Sequence, residues 1–323
     1  MPDISVIICA HNPRPDYLRR ALDALKMQTF SAPQWELLLI DNASKEPLAS
    51  TWDLSWHPQG RHLRENELGL TAARLCGIRE AAGGLLVFVD DDNVLAPDYL
   101  DTALQLSLSR SCMGAFGGNV VAEFETAPES WVNIMFSIFA VVEVKAEQWT
   151  CGPGTSAQLM APCGSGMVIR KTVADYWARK SANDPLRRGF GRKGASLSGS
   201  EDIDMALCAC ALGLAVGRFP QLCLTHLIAS RRLKRDYLLR LAEESAFSDA
   251  LLHYVWDGQL PRQNHAGLSK SEKMFRAYKS LTYRLSNWQN PTFAYEYMLA
   301  CNRGLSRAVQ AVSSGNTPPY PGS

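Results

Sequence analysis

The chain has 323 residues, 46% hydrophobic and 20% charged, the profile of a globular protein large enough to bury a substantial core. Its 33 Lys and Arg stand against 32 Asp and Glu, a net charge of +1, which excludes a surface built wholly for nucleic acid but leaves room for a local basic patch. Nine scattered cysteines with no signal peptide ahead of them point to a reduced, cytoplasmic chain. Cys208 and Cys210 form a C-x-C, but no two C-x-x-C pairs exist to build a structural zinc site.

The first half alternates strands and helices. Ile4–Ala10 and Trp35–Ile40 are short apolar runs, as expected of strands covered on both faces. Between them Pro13 and Pro15 open a helix with Tyr17, Leu18, Ala21, Leu22 and Leu25 at helical spacing. Leu70–Ala82 reads as a helix stopped by Gly83 and Gly84, and Leu85–Val89 as a third buried strand. Pro97 opens a helix to about Leu108. This order predicts an α/β fold, a mostly parallel sheet with helices on both faces. Ligands of such sheets bind at the carboxyl ends of the strands, where Asn12, Asp41 and Asp90–Asp92 fall.

The second half is less regular. Ala115–Val121 and Met167–Ile169 are expected strands, and Ser130–Val144 a helix or an apolar surface segment. The Gly, Ser and Arg-rich stretch Asn183–Ser200 reads as a mobile loop. Glu201–Leu212 is an expected helix with Ser200 as its N-cap. Ala215–Phe219 and Leu222–Leu227 read as strands, and the chain from Leu233 as helical, with breaks at Gly258–Gly267 and Pro291. Ser313–Ser323 has the composition of a disordered tail.

Three adjacent carboxylates, Asp90, Asp91 and Asp92, repel one another unless a cation sits near them. Oxygen ligands at a strand end suit Mg²⁺ or Mn²⁺, with a diphosphate completing the shell. A solvated turn ahead of the Pro97 helix is the alternative, and the buried strand before it tips the balance to metal. Glu201, Asp202 and Asp204 in the first turn of a helix are favoured by its dipole alone; the functional reading is a general base beside the metal. His226 ends an apolar strand, a place as ordinary for a structural histidine as for a ligand. No G-x-G-x-x-G follows the first strand, where Ala10–Pro13 occupies the turn, and no G-x-x-x-x-G-K-[ST] or G-x-S-x-G occurs, which argues against a dinucleotide oxidoreductase, a P-loop NTPase and an α/β-hydrolase.

Five segments, in order, resemble the family 2 glycosyltransferases with the GT-A fold. Ser5–Asn12 resembles that family's opening S-V-I-I-P-T-Y-N, and Leu39–Ser44 its V-D-D-G-S. Leu68–Arg74 is similar to its G-x-x-x-A-R, Phe88–Asp92 to its D-x-D, and Glu201–Asp204 to its E-D-x-[DE]. His226 stands where many members carry a late metal-binding histidine. The resemblance covers about residues 4–228. Cys9, Ala10 and Asn42 depart from the family's Pro, Thr and second Asp, and one extra residue lies between Asn66 and Gly69. A looser likeness, over His226–Leu233 and Tyr237–Leu238, is to some bacterial polysaccharide glycosyltransferases.

The resemblance implies a metal-dependent inverting enzyme that moves a sugar from a nucleotide-diphosphate sugar, with a UDP-sugar the leading candidate, in polysaccharide or glycolipid biosynthesis. It implies Asp202 as base and Glu201 as its partner in orienting the acceptor. Ala10, Asn12, Asp41, Arg74, Asp90 and Asp91 would contact the nucleotide sugar, and Asp92 and His226 would hold Mn²⁺ or Mg²⁺. Gly164 and Ser165 are grouped with the acceptor or mobile-loop residues. Arg187, Arg188, Arg192 and Lys193 would close over the diphosphate, or be no more than a solvated loop. The expected organisation is a GT-A domain over 1–230, with its nucleotide half at 1–121 and acceptor half at 122–230. A helical extension over 231–312 and a disordered tail over 313–323 follow.

A sugar nucleotidyltransferase and a non-catalytic nucleotide-sugar-binding protein are the alternatives. The first should carry a Gly-rich basic loop where only His11–Pro15 stands, and the second would not need both Glu201 and Asp202. The longest apolar run, Ile134–Val142, falls well short of the about 18 residues that span a bilayer. Together with the basic cluster Arg231, Arg232, Lys234 and Arg235 it raises peripheral contact with the inner membrane face and a lipid-linked acceptor. A core segment beside a solvated helix start is the favoured reading of the same residues.

Overall fold

Strand β1 (Ile4–Ala10) lies between two parallel neighbours, β2 (Trp35–Asn42) and β4 (Leu85–Asp90). These strands are apolar on both faces because both faces are covered, so an alternating pattern would bury polar groups without partners. The computed structural model describes residues 1–260 and 291–314. Helix α1 (Pro15–Lys26) buries Leu18, Ala21, Leu22 and Leu25 on the expected stripe. Helix α2 (Leu70–Glu80) closes onto the other face at Gly77, where a Cβ would stand 2.5 Å from Ile7 Cγ2. Helix α3 (Tyr99–Ser109) follows as expected.

Three strands have no counterpart in the sequence reading, one of them the short Gln148–Thr150. β3 (Gly60–Glu65) is a half-buried edge strand carrying His, Arg and Glu, so it has no apolar run to betray it. β5 (Asn93–Leu95) is three residues long. The later strands are β6 (Met113–Phe124), β7 (Gln148–Thr150), β8 (Val168–Arg170) and β9 (Ala215–Ile228). The nine strands form one sheet in the order β3-β2-β1-β4-β8-β6-β9-β5, with β7 on β9. β8 is antiparallel to β4 and β6, whereas β6 and β9 are parallel. The two strands expected at 215–219 and 222–227 are thus one: Pro220 is tolerated where the β6 pairing shifts register between Gly117 and Asn119.

Ser130–Phe139 is a 3₁₀ helix. Val132, Met135 and Phe139 pack with Ile228, Leu238 and Ala242 in a core of their own. Helix α4 (Lys171–Ala182), the four-residue α5 (Pro185–Arg188) and α6 (Glu201–Ala211) cover one face of the sheet's far half. Helix α7 (Arg235–Asp257) is capped by left-handed Gly258, at φ 69°. Pro291 opens the last described helix, Pro291–Ser313, where the sequence suggested a break. Phe247, Leu251 and Ala308 from these two helices join the same core as α4 and α6, so the C-terminal helices are packed onto the α/β body. The rest of the expected 258–267 break and the tail from 315 lie outside the described residues. Among the described residues, no helix is long and apolar enough to cross a membrane. All nine cysteines are free.

Candidate active site

The carboxyl ends of β1 and β4 open into a cavity of about 380 Å³, where ligands of open α/β sheets belong. β4 ends there at Asp90, and β5 resumes extended backbone at Asn93, so the three acids form a tight turn between two strands. β5 pairs with β9 in the register Asn93↔His226. That pairing is what brings His226 to the acids: its Nε2 lies 3.4 Å from Asp92 Oδ2. The Leu227 N–H donates to the Asp92 carbonyl at 2.8 Å, and buried Asn93 donates to Asp92 Oδ1 at 3.2 Å, which fixes the turn.

His226 Nδ1 faces the Phe139 carbonyl at 2.9 Å. A carbonyl only accepts, so in the neutral ring Nδ1 carries the proton and Nε2 offers its lone pair toward Asp92. Arg232 bridges these two groups, with Nη1 3.1 Å from Asp92 Oδ2 and 3.0 Å from His226 Nε2. Burial would raise the Asp92 carboxyl, but the His226 ring when it carries both protons and the charges of Arg232 and Arg192 outweigh it and hold the group below its usual range. Asp91 moves the other way, pushed up to about 8 by burial and then by the like charges of Asp92 and Asp90.

The second acid pair enters from the start of α6. Ser200 occupies the N-cap position but does not cap: its hydroxyl makes no bond to the helix. Its backbone is left-handed instead, at φ 76°, a conformation that costs a non-glycine residue about 1–3 kcal/mol and so needs support from its surroundings. Asp202 Oδ2 accepts the Gly164 N–H at 2.6 Å, and Oδ1 accepts the Ile203 N–H at 2.8 Å. Arg74, 2% exposed, lies between the acid clusters. Its Nη1 is 3.0 Å from Glu201 Oε1, an ion pair without hydrogen-bond alignment, and its Nη2 is 3.8 Å from Asp90 Oδ1. Gly164 gives the guanidinium its room, since a Cβ there would press on Arg74 Nη2 and force that end of the side chain to shift. Burial raises the Glu201 carboxyl to about 7, partly opposed by Arg74 and reinforced by Asp202. The Ser165 hydroxyl donates to Asp90 Oδ2 at 3.2 Å.

The cavity wall therefore unites Asp90, Asp91 and Asp92 with Glu201, Asp202 and His226. Ala10, Arg74, Gly164, Ser165 and Arg192 also line it. Five expected site residues do not. Asp41 is buried behind the wall, its oxygens taken by the Ser44 and Leu48 N–H groups and by Arg64 Nη1 at 2.6 Å. Asn12 is turned to the Lys45 N–H and the His11 ring. Arg187 is buried as the counter-ion of Asp204 rather than poised over a diphosphate, and its guanidinium lies over the Trp256 ring. Asp204 also accepts the indole N–H groups of Trp177 (2.8 Å) and Trp256 (2.7 Å), which removes it from any role at the cavity. Arg188 pairs with Glu67, and Lys193 lies along Gly69 beside a small neighbouring cleft.

Sequence reasoning missed Arg232, His11, Asn42 and, from α7, Leu241 and Ser245, all of which line the cavity. Arg232 belongs to the basic cluster read first as a solvated helix start, with membrane contact as the alternative, and Arg235 of the same cluster pairs with Glu296. Among the described residues no three His, Cys, Asp or Glu side chains converge into a complete metal cage. Asp92 and His226 still make an N/O donor pair with a cationic group already between them. That set fits a divalent cation that draws its other ligands from phosphate oxygens and water.

Residues 5–166 match the family model described as Glycosyl transferase family 2. The chain is 27% identical over 123 residues to the glycosyltransferase AglE of Haloferax volcanii, across 37% of this chain and 40% of that protein. It is 25% identical over 182 residues to an N-acetylglucosaminyltransferase of Mesorhizobium japonicum, across 53% of this chain and 40% of that one. The chain thus spans about two fifths of the length of these relatives. Its fold is similar to that of the mannosyltransferase PcManGT of Pyrobaculum calidifontis, solved with GDP-Man and Mn²⁺. The TM-score is 0.52 at 17% identity, over 98% of this chain and 77% of that one.

Proposed function

We propose, from the premise that this chain belongs to glycosyl transferase family 2, that it moves a sugar from a nucleotide-diphosphate sugar to an acceptor hydroxyl with inversion at the anomeric carbon. The observation that carries this reading is the position of Asp202. Its carboxylate faces the same cavity as the Asp90–Asp92 turn and is oriented by the Gly164 N–H at 2.6 Å. In a single displacement the acceptor oxygen bonds to the anomeric carbon as the bond to the diphosphate oxygen breaks. Asp202 takes the acceptor proton, and the negative charge leaves with the diphosphate. Glu201, paired with Arg74, holds the base helix against the nucleotide side of the cavity. Asp92 and His226 would hold Mn²⁺ or Mg²⁺, which supplies neutralising charge for the leaving group.

We assign the catalytic domain to residues 1–230, Asp90 and Asp91 to the donor, and the acceptor to a saccharide hydroxyl, free or lipid-linked. Membrane contact finds little support in the buried Val132, Met135 and Phe139. UDP-sugars and GDP-sugars, each supplied with Mn²⁺ and a saccharide acceptor, test the reading. Release of the nucleoside diphosphate with a product of opposite anomeric configuration is the expected result. Retained configuration would refute inversion. Consumption of a nucleoside triphosphate with pyrophosphate release would favour the nucleotidyltransferase.

A further inference from the structure

We infer that Arg232 is a built-in counter-cation of the Asp92–His226 pair, which a metal ion must displace and which thereby makes metal and diphosphate bind cooperatively. The inference rests on the glycosyl-transfer reading of the cavity and adds to it a positioning residue outside the five family-like segments. Three observations carry it. Arg232 Nη1 stands within 3.1 Å of Asp92 Oδ2 and 3.0 Å of His226 Nε2, while those two atoms are 3.4 Å apart. It therefore uses the same two lone pairs that a cation would need. His226 cannot turn away to offer Arg232 a different atom, because Nδ1 is engaged with the Phe139 carbonyl. Lastly, Arg232 is 8% exposed, lines the cavity, and has a buried Nε with no partner among the described residues.

The consequence follows from charge. A guanidinium and a divalent cation cannot share one lone pair on His226 and one oxygen of Asp92. Metal binding must release Arg232, leaving a buried cation whose partners have been taken, a costly state without a new anion. The diphosphate is that anion: its oxygens can pair with the freed guanidinium, whose fork suits phosphate. Metal alone therefore pays for displacing Arg232, and metal with diphosphate does not. By linkage the nucleotide is strengthened by the metal to the same degree. With Arg232 absent, the donor pair should accept metal more readily and the cooperativity should fall.

Mn²⁺ binding measured by the loss of its free-ion EPR signal tests this without any turnover. It is measured for the wild type, Arg232→Gln, Arg232→Met and Arg235→Gln, alone and with UDP or GDP, corrected for the Mn²⁺–nucleotide complex in solution. If Arg232 holds the site for nine-tenths of the time, its removal should tighten binding of Mn²⁺ alone by about tenfold. The nucleotide's enhancement of Mn²⁺ affinity should shrink by a similar factor. Arg235→Gln, which removes a charge of the same basic cluster but is paired with Glu296 outside the cavity, should change Mn²⁺ affinity by less than about threefold. Two chemically different replacements guard against a folding defect in one of them. Unchanged affinity for Mn²⁺ alone, an undiminished enhancement, or an equal gain in Arg235→Gln would overturn the inference while leaving the metal site in place. Failure of the wild type to bind Mn²⁺ with either nucleotide would overturn the inference and the metal reading of the cavity together.

Discussion

A general base needs a fixed direction as well as a free lone pair. Asp202 has both: each carboxylate oxygen accepts one backbone N–H and keeps a further lone pair, and the residue lines the cavity. Asp202→Asn keeps the shape and removes the basic oxygen. Its turnover should fall by about 10²- to 10⁴-fold with donor affinity nearly intact, as read from steady-state kinetics beside nucleotide titration. Near-normal turnover would move the base to Glu201, because Asp204 is sequestered by Arg187 and two tryptophans. Residue type and position at a strand end made Asp90–Asp92 legible in the sequence, whereas Asp202, in the first turn of a helix, was marked out by the family resemblance. The partners of Asp41 and Arg187 were not legible. Whether a charged side chain faces a cavity or a buried counter-ion depends on contacts between residues far apart in the chain, and spacing does not encode them.

Elements assemble the site through two junctions. One is the β5–β9 pairing, which sets Asn93 opposite His226; three residues of strand carry too little pattern to be read in advance. The other is the Asp204 junction, where α6 meets Arg187 of α5, Trp177 of α4 and Trp256 of α7. Asp204→Ala leaves a buried cation and two indole N–H groups unpaired. It should cost about 3–5 kcal/mol in denaturant unfolding, whereas Arg188→Ala, on an exposed pair, should cost about 0–1 kcal/mol. The acid turn has a signature of its own. Asp91 keeps its proton in the folded protein up to about 8, whereas an unfolded aspartate loses it near about 4. The folded state thus binds the extra proton across that window, and stability contributed by this group falls as pH rises through it. With metal chelated, thermal melts should show that fall in the wild type and a flatter profile in Asp91→Asn. A slope unchanged by the substitution would mean that Asp91 titrates normally.

Over the whole molecule, the alternation of apolar strands and helices made the three central strands of the first half legible, with both covered faces, but not the polar edge strand β3 or the short β5. The second half was harder, because β9 passes through Pro220 by a register shift and Ser130–Phe139 is a buried 3₁₀ segment. The family match ends at residue 166, yet Glu201, Asp202, His226, Arg232 and two residues of α7 complete the cavity. The C-terminal half is therefore part of the site and not an appendage to it. The central claim is that this cavity binds a nucleoside diphosphate together with a divalent cation on Asp92. Calorimetric titration of UDP and GDP into the wild type and Asp92→Ala, with and without Mn²⁺, tests it most directly. At least one nucleotide should bind the wild type with an affinity that rises with Mn²⁺, and Asp92→Ala should lose that rise. Absence of nucleotide binding at any Mn²⁺ concentration, or an identical rise in Asp92→Ala, would contradict it.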